Sequence, residues 1–488
     1  MKKRLNPAPY RAVLLLFGLG ILLICRPVST QTAEPPSSSS AAPSQSLLAD
    51  YVHAKDPHFR YELVHTVKER GYTFHVARMV SQHWLSLEQV DEVEWWHWVS
   101  VVVPDNAPYQ TGMMWIGGGS RTTKMPEKPD ALILEAATRT NSVVAQVHNI
   151  PFQPLTFADD PAGKRTEDAL IAYGWRKFME GGAKDEDAGW LARLPMTKAV
   201  VSAMDVVSEL VKKEHGQDLG KYVVAGASKR GWTTWATAAV DDRVVGMVPV
   251  VIDLLNLIPS FQHHWRNYGF WAPAIRNYEE EGIMDWMGSR EFDRMLQIVE
   301  PYSFIHRYND IPKLLISASG DQFFQPDSWQ FYWNDLKGVK HLQYVPNAGH
   351  DLKNSDAMQN MTAFYASILQ NRPLPSYKWE ATEKGFTLET GRDQKPASLK
   401  LWEAHNEETR DFRVDVFGPK WTSREIPLNE SGKYEVVLDT PAKGWKGYFV
   451  EITYPGPLPI KFTTGIQVLP RTYPFAPFVS QSPRGTRR

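Results

Sequence analysis

The chain has 488 residues, 43% hydrophobic and 22% charged, which fits a folded globular protein of about two or three units. This composition excludes a wholly disordered chain, a collagen-like fibre and a polytopic membrane protein. The 54 basic and 55 acidic side chains leave a net charge of −1, and the single cysteine rules out an intramolecular disulfide. No global field therefore draws the chain onto nucleic acid, and stability must come from core burial. The 18 tryptophans serve either large aromatic cores or the wall of a substrate groove.

Lys2, Lys3, Arg4 and Arg11 precede an uncharged apolar run from Ala12 to Cys25. Such a run is short for a bilayer span and suits the core of a signal peptide. Residues 1–30 are thus expected to direct export, to the periplasm or the exterior, or to anchor the chain if uncleaved. Ile24 is too bulky for the position before a lipidated cysteine. A Pro/Ser-rich linker is expected over 31–46.

The body then alternates strand and helix. Trp98–Val103, Met113–Ile116 and Ser142–Val147 read as strands, as do Lys221–Ala225, Val244–Ile252, Lys313–Ser317 and His341–Val345. Ala131–Thr138, Asp168–Met179, Met196–Lys212, Trp232–Val240 and Met358–Leu369 read as helices. This alternation predicts an α/β domain over 47–374 with a mainly parallel sheet. The aromatic stretch 254–312 interrupts the rhythm between two strands and is expected to form a cap. From 375 to 470 short alternating segments predict a β-sandwich, with Asp411–Phe417 among its strands. The Pro-rich end, 471–488, is expected to be a mobile tail.

Gly226-Ala227-Ser228 falls between a predicted strand and helix, the setting of a nucleophile elbow. A serine hydroxyl needs a base, and the base needs an orienting acid. Asp321 follows the strand Lys313–Ser317, and His350 follows the strand His341–Val345. The order Ser228, Asp321, His350 is that of an α/β-hydrolase with an inserted cap, and each residue lies just past a strand. Asp327, the nearby alternative acid, is expected to cap the helix that begins at Ser328. Oxyanion donors are expected from the N–H of Lys229 and from Gly118 and Gly119 after Ile116. Arg230 stands where the usual G-x-S-x-G motif has glycine, which comes one residue later at Gly231. Lys229 and Arg230 oppose the dipole of their helix. They need an internal partner such as Glu167 or Asp168, a carboxylate on the substrate, or solvent. Arg230, His263, His264 and Trp265 are candidate substrate contacts. The Gly117–Gly119 run lacks both phosphate-binding patterns, no metal-binding motif occurs, and no cofactor is expected.

Beyond these residues, the chain resembles the PhoPQ-activated pathogenicity-related protein family from about Leu47 to Leu469. The likeness rests on Ser81-Gln82-His83-Trp84, Glu94-Trp95-Trp96-His97-Trp98, Gln153-Pro154-Leu155-Thr156-Phe157, Gly226-Ala227-Ser228-Lys229-Arg230-Gly231-Trp232, Gly320-Asp321-Gln322-Phe323-Phe324 and Pro346-Asn347-Ala348-Gly349-His350. The resemblance implies an exported α/β-hydrolase-like domain with a β-rich C-terminal part, and puts the nucleophile, acid and base at Ser228, Asp321 and His350. A peptidase activity has been suggested for some relatives, and the cation after the serine is similar to the elbow of glucuronoyl esterases. The expected activity is a serine hydrolase acting on a small-molecule, peptide or saccharide substrate. The alternative is a binding or signalling protein on the same fold.

Overall fold

The computed structural model describes residues 46–487; the predicted leader and most of the linker lie outside them. The Ser46 hydroxyl accepts from the N–H of Ala49 and so opens α1 (Leu47–His53). The strands that follow are β1 (Arg60–Glu69), β2 (Tyr72–His83), β3 (Glu94–Pro104), β4 (Thr111–Ile116) and β5 (Val144–Val147). The ribbon pair β6 (Leu155–Thr156) and β7 (Lys164–Arg165) stands apart, before β8 (Lys221–Ala227), β9 (Val244–Val250), β10 (Lys313–Ala318) and β11 (Lys340–Val345). Between them run α2 (Ala131–Thr140), α3 (Glu167–Glu180), α4 (Arg193–His215), α5 (Lys229–Val240) and, after β11, α9 (Ala357–Leu369).

The sheet order is β1-β2-β3-β5-β4-β8-β9-β10-β11. β5, β4, β8, β9, β10 and β11 are parallel, while β3 pairs antiparallel with both β2 and β5. From β2 onward this is the strand order of an α/β-hydrolase. β1 alternates half-buried Tyr61, Leu63, His65 and Val67 with exposed neighbours. β2 is buried along most of its length yet carries Thr73, His75, Ser81 and Gln82, so polar residues interrupt its apolar run. The cap comprises α6 (Leu257–Tyr268), α7 (Arg276–Glu280), α8 (Arg290–Val299) and 3-10 turns, all between β9 and β10.

The C-terminal strands are β12 (Tyr377–Thr382), β13 (Gly385–Thr390), β14 (Ser398–Asn406), β15 (Thr422–Glu425), β16 (Lys433–Val437), β17 (Trp445–Tyr454), β18 (Ile460–Thr463) and β19 (Gln467–Leu469). β12-β13-β16 form one sheet, and its Phe386, Leu388, Tyr434 and Val436 share a core with Leu399, Leu401, Val450 and Ile452 of β14 and β17. The second layer is not separate from the main sheet. β18 pairs with β11 at Leu342 and Thr463, and β17, β14 and β15 continue outward. The Thr463 hydroxyl also accepts from the N–H of Tyr344 at 3.0 Å.

Two sequence expectations fail here. Asp411–Phe417 is no strand: a buried loop holding Arg410, Asp411 and Arg413 leads into the short helix α10 (Val414–Phe417). Its apolar residues pack locally, with Phe412 against Phe417 and Trp421. The end of the chain is also no free tail. It runs back over the cap, and Phe478 packs against Trp265 and Trp271 at centroid distances of 4.9 and 5.1 Å. Gln262 holds both the N–H and the C=O of Phe478, and the N–H groups of Arg484 and Thr486 reach Asp285 and Glu291. Proline lowers the entropy lost when such a strap is ordered. Deleting residues 474–488 is expected to uncover Trp265 and Trp271, raise binding of an apolar dye and lower Tm by roughly 2–8 °C. A melting scan of the shortened chain checks this.

Candidate active site

β8 delivers Ser228 at its C-terminal end, and α5 starts at the next residue. Ser228 has φ 59 and ψ −127, a backbone state that costs a non-glycine residue on the order of 1–3 kcal/mol and clusters at functional sites. The turn closes because of its glycines. A Cβ at Gly226 would lie 2.7 Å from the Arg230 carbonyl oxygen. One at Gly231 would lie 2.7 Å from Ile252 Cγ2 and 3.0 Å from the Val250 carbonyl oxygen. Gly231 therefore supplies the close helix–strand approach, and the Arg230 side chain leaves that contact for Glu167 and the Ile150 carbonyl.

Two helix N-termini meet beside the elbow. Glu167 and Asp168 lie in the first turn of α3, and Lys229 and Arg230 in the first turn of α5. Lys229 Nζ lies 3.0 Å from Glu167 Oε2 and 3.1 Å from Asp168 Oδ2. Arg230 Nη2 reaches Glu167 Oε1 at 2.7 Å, and its Nε donates to the Ile150 carbonyl. Burial pushes the Glu167 carboxyl up, but Arg230 and Lys229 outweigh it and hold the group at about 2. Of the three partners open to these cations, the internal carboxylates are the ones they meet.

Asp321 and His350 come together from the ends of β10 and β11. His350 Nδ1 lies 3.0 and 2.9 Å from the two Asp321 carboxylate oxygens. Asp321 Oδ1 also accepts from the N–H of Phe323 at 2.7 Å, and Gln322 Oε1 accepts from the N–H of His350 at 2.9 Å. The Phe323 ring packs on the imidazole at 4.2 Å. His350 Nε2 is buried with no hydrogen-bond partner, and Ser228 is not hydrogen-bonded to it in this state. Phe323 and Ser228 line a common cavity of about 50 Å3, with Trp175, Arg193, Trp232 and His264 also on its wall. The tryptophans thus serve both purposes: Trp84, Trp95 and Trp235 are core, while Trp175 and Trp232 wall the cavity.

Gly118 and Gly119 follow β4 but do not line that cavity. Their carbonyls accept from Asn149 N–H and Gln153 Nε2, and their own N–H groups meet no acceptor among the described residues. A Cβ on Gly118 would sit 2.7 Å from Arg230 Nη2 and push that guanidinium aside, whereas Gly119 has φ +138, a conformation that strains any side chain. The Lys229 N–H at the head of α5 is likewise without an acceptor among those residues.

The remaining candidates separate. His264 is on the cavity wall, where its Nε2 accepts from the Ala272 N–H at 3.0 Å, and burial, aided by Arg413, lowers its pKa to about 3. It is therefore a neutral wall residue. Trp265 packs under the C-terminal strap. His263 turns the other way, with Nε2 at 2.7 Å from Asp327 Oδ1 and Nδ1 at 3.0 Å from the Tyr473 hydroxyl. Asp327 makes no side-chain cap to the Ser328–Phe331 turn; its other oxygen takes Arg410 Nη2 at 2.6 Å. Burial raises its pKa, and Arg410 and His263 more than reverse this and hold it well below the carboxylate range.

Sequence reasoning passed over two buried groups. Arg193, in the run Leu191-Ala192-Arg193-Leu194-Pro195, is 1% exposed and touches the elbow; a lone cation in an apolar run was the available signal. Asp253, just past β9, accepts from the hydroxyls of Tyr332 and Tyr344 at 2.5 Å each. Burial raises its pKa to about 7, although both tyrosines favour the charged form. Its proton is held more tightly in the fold than in the open chain. The stability it confers is complete below about pH 4 and is lost as pH rises through about 7. Asp253→Asn is expected to flatten that part of the stability–pH curve, measured by urea unfolding at each pH. Among the described residues no three His, Cys, Asp or Glu side chains converge on a metal position, and no helix is long and apolar enough to cross a membrane.

Among solved structures, the acetyl xylan esterase from Paenibacillus sp. R4 is 13% identical, with a TM-score of 0.45 over 66% of this chain and 92% of that one. Acetyl xylan esterase 1 from Thermoanaerobacterium sp. JW/SL YS485 is 14% identical, with a TM-score of 0.43 over 66% and 91%. Likeness at this level does not bear on substrate. In sequence, the autocrine proliferation repressor protein A of Dictyostelium discoideum is 35% identical over 457 residues, 88% of this chain and 91% of that protein. The family model for the PhoPQ-activated pathogenicity-related protein matches residues 48–413. On that match and that identity, the chain belongs to the PhoPQ-activated pathogenicity-related protein family.

Proposed function

We propose that this protein is an exported serine hydrolase that cleaves an ester or amide bond through Ser228, Asp321 and His350. The observation that carries the reading is Ser228 at φ 59 on a strand-to-helix turn, facing a cavity. The His350–Asp321 pair supports it, because it leaves a buried, unpartnered Nε2 as the base. In the reaction Ser228 Oγ attacks the carbonyl carbon and passes its proton to His350 Nε2. The tetrahedral oxyanion takes the N–H of Lys229 and an N–H of the Gly118–Gly119 loop. His350 then protonates the departing alcohol or amine, and a water repeats the sequence to release the acid. Asp321 holds the imidazole with its Nδ1 protonated and stabilises the imidazolium. Export rests on the basic and apolar N-terminus. Substrate is a small molecule, a peptide or a saccharide. The test is a panel of ester, peptide and uronate substrates with wild type and Ser228→Ala. Turnover by wild type and its loss in Ser228→Ala support the proposal; equal rates in the two contradict it.

A non-catalytic signalling role on this fold is the second reading, favoured by the name of the 35% identical relative, a proliferation repressor. On that reading the panel yields no turnover at all.

A further inference from the structure

Arg193 opens α4 and is 1% exposed. Its Nη1 donates to the Lys229 carbonyl and, at 3.0 Å, to the Thr233 hydroxyl, and lies 3.9 Å from Met196 Sδ. All three are neutral acceptors. The guanidinium also stacks over Trp232 at 4.9 Å. Among the described residues no carboxylate lies within ion-pair reach of it. Glu167 and Asp168, the acids at this corner, are taken by Lys229 and Arg230, and Asp321 is taken by His350 and two backbone N–H groups. An unmatched buried charge is costly and is retained where something else matches it. Arg193 forms part of the wall of the cavity that holds Ser228.

We propose that this cavity takes a substrate bearing a free carboxylate close to the scissile bond, and that Arg193 is the residue that binds it. The proposal rests on Ser228 being the nucleophile. Nη1 is occupied by protein, so the carboxylate approaches the Nε–Nη2 edge, where two parallel hydrogen bonds are geometrically matched. The wall also carries Asp168 and Lys229, which pair with each other at 3.1 Å, and is otherwise largely apolar, with Trp175, Trp232 and Phe323; the free space is about 50 Å3. A substrate that fills this space displaces water from it, which strengthens the ion pair. A uronate and an acidic or C-terminal peptide group present the same chemistry.

The experiment uses two matched pairs of esters on the whole protein. Mono-4-nitrophenyl glutarate against 4-nitrophenyl valerate places the charge on the acyl side. 4-Acetoxybenzoate against phenyl acetate places it on the leaving-group side. In at least one pair wild type is expected to favour the anion in kcat/KM by about 10- to 100-fold, and Arg193→Met to lose most of that preference. The ratio is the readout because Arg193 also braces the Lys229 carbonyl, so its loss slows both members of a pair. If Arg193→Met does not fold, Arg193→Lys carries the same test and keeps only part of the preference, because a lysine binds as a point charge. Equal rates for anion and neutral ester in wild type, or a ratio unmoved by the substitutions, overturn the proposal and leave the hydrolase reading intact. Absence of turnover together with an unlabelled Ser228 overturns both.

Discussion

Asp321→Asn is expected to lower kcat by about 10⁴-fold while the protein keeps its melting temperature within a few degrees. The carboxylate holds His350 Nδ1 with both oxygens, so an amide in its place presents a donor on one side and favours the wrong imidazole tautomer. The backbone clamp is expected to persist, since an amide oxygen can still accept from the Phe323 N–H. Rates with a chromogenic ester and a circular-dichroism melt together check this. Asp327→Asn is the control of matched chemistry six residues later. Its side chain meets His263 and Arg410 rather than His350, so its kcat in the folded protein is expected to stay within about tenfold of wild type. The reverse pattern makes Asp327 the acid.

The second large effect is on stability. Arg410 joins the C-terminal part to the cap and to the 3-10 turn after β10: Nη1 donates to Asn267 Oδ1 and Nη2 to Asp327 Oδ2, each at 2.6 Å. The side chains of Arg410, Asp327 and His263 are 4%, 6% and 0% exposed. Removing one member of such a buried set strands the others, at a cost of about 3–5 kcal/mol. Arg410→Met is expected to lose that much by equilibrium denaturation. A loss below about 1 kcal/mol contradicts this account of the network.

The residues proposed as nucleophile, acid and base could be singled out because each lies at or shortly beyond the C-terminal end of a parallel strand. In such a sheet the C-terminal ends gather on one edge, so chain order alone brings Ser228, Asp321 and His350 to that edge. Lys229 and Arg230 were legible as a problem, two cations against a helix dipole, but choosing among their partners needed the meeting of α3 with α5. His263 and His264 show the limit of adjacency on a helix: neighbouring residues point about 100° apart, so one walls the cavity and the other joins the Asp327 network. The C-terminal strands were legible by alternation. Their continuity with the main sheet was not, since it rests on the contact of Leu342 with Thr463. The strap was missed because proline-rich composition predicts lack of regular structure, and regular structure is not required for Phe478 to pack on the Trp265–Trp271 pair.

Fluorophosphonate chemistry tests whether Ser228 is a nucleophile activated by His350. The most direct measurement is reaction of the intact protein with a fluorophosphonate, followed by peptide mapping. One phosphonylated residue is expected, Ser228, with labelling lost in Ser228→Ala and slowed in His350→Ala. Labelling at another serine, or equal labelling of wild type and Ser228→Ala, contradicts it.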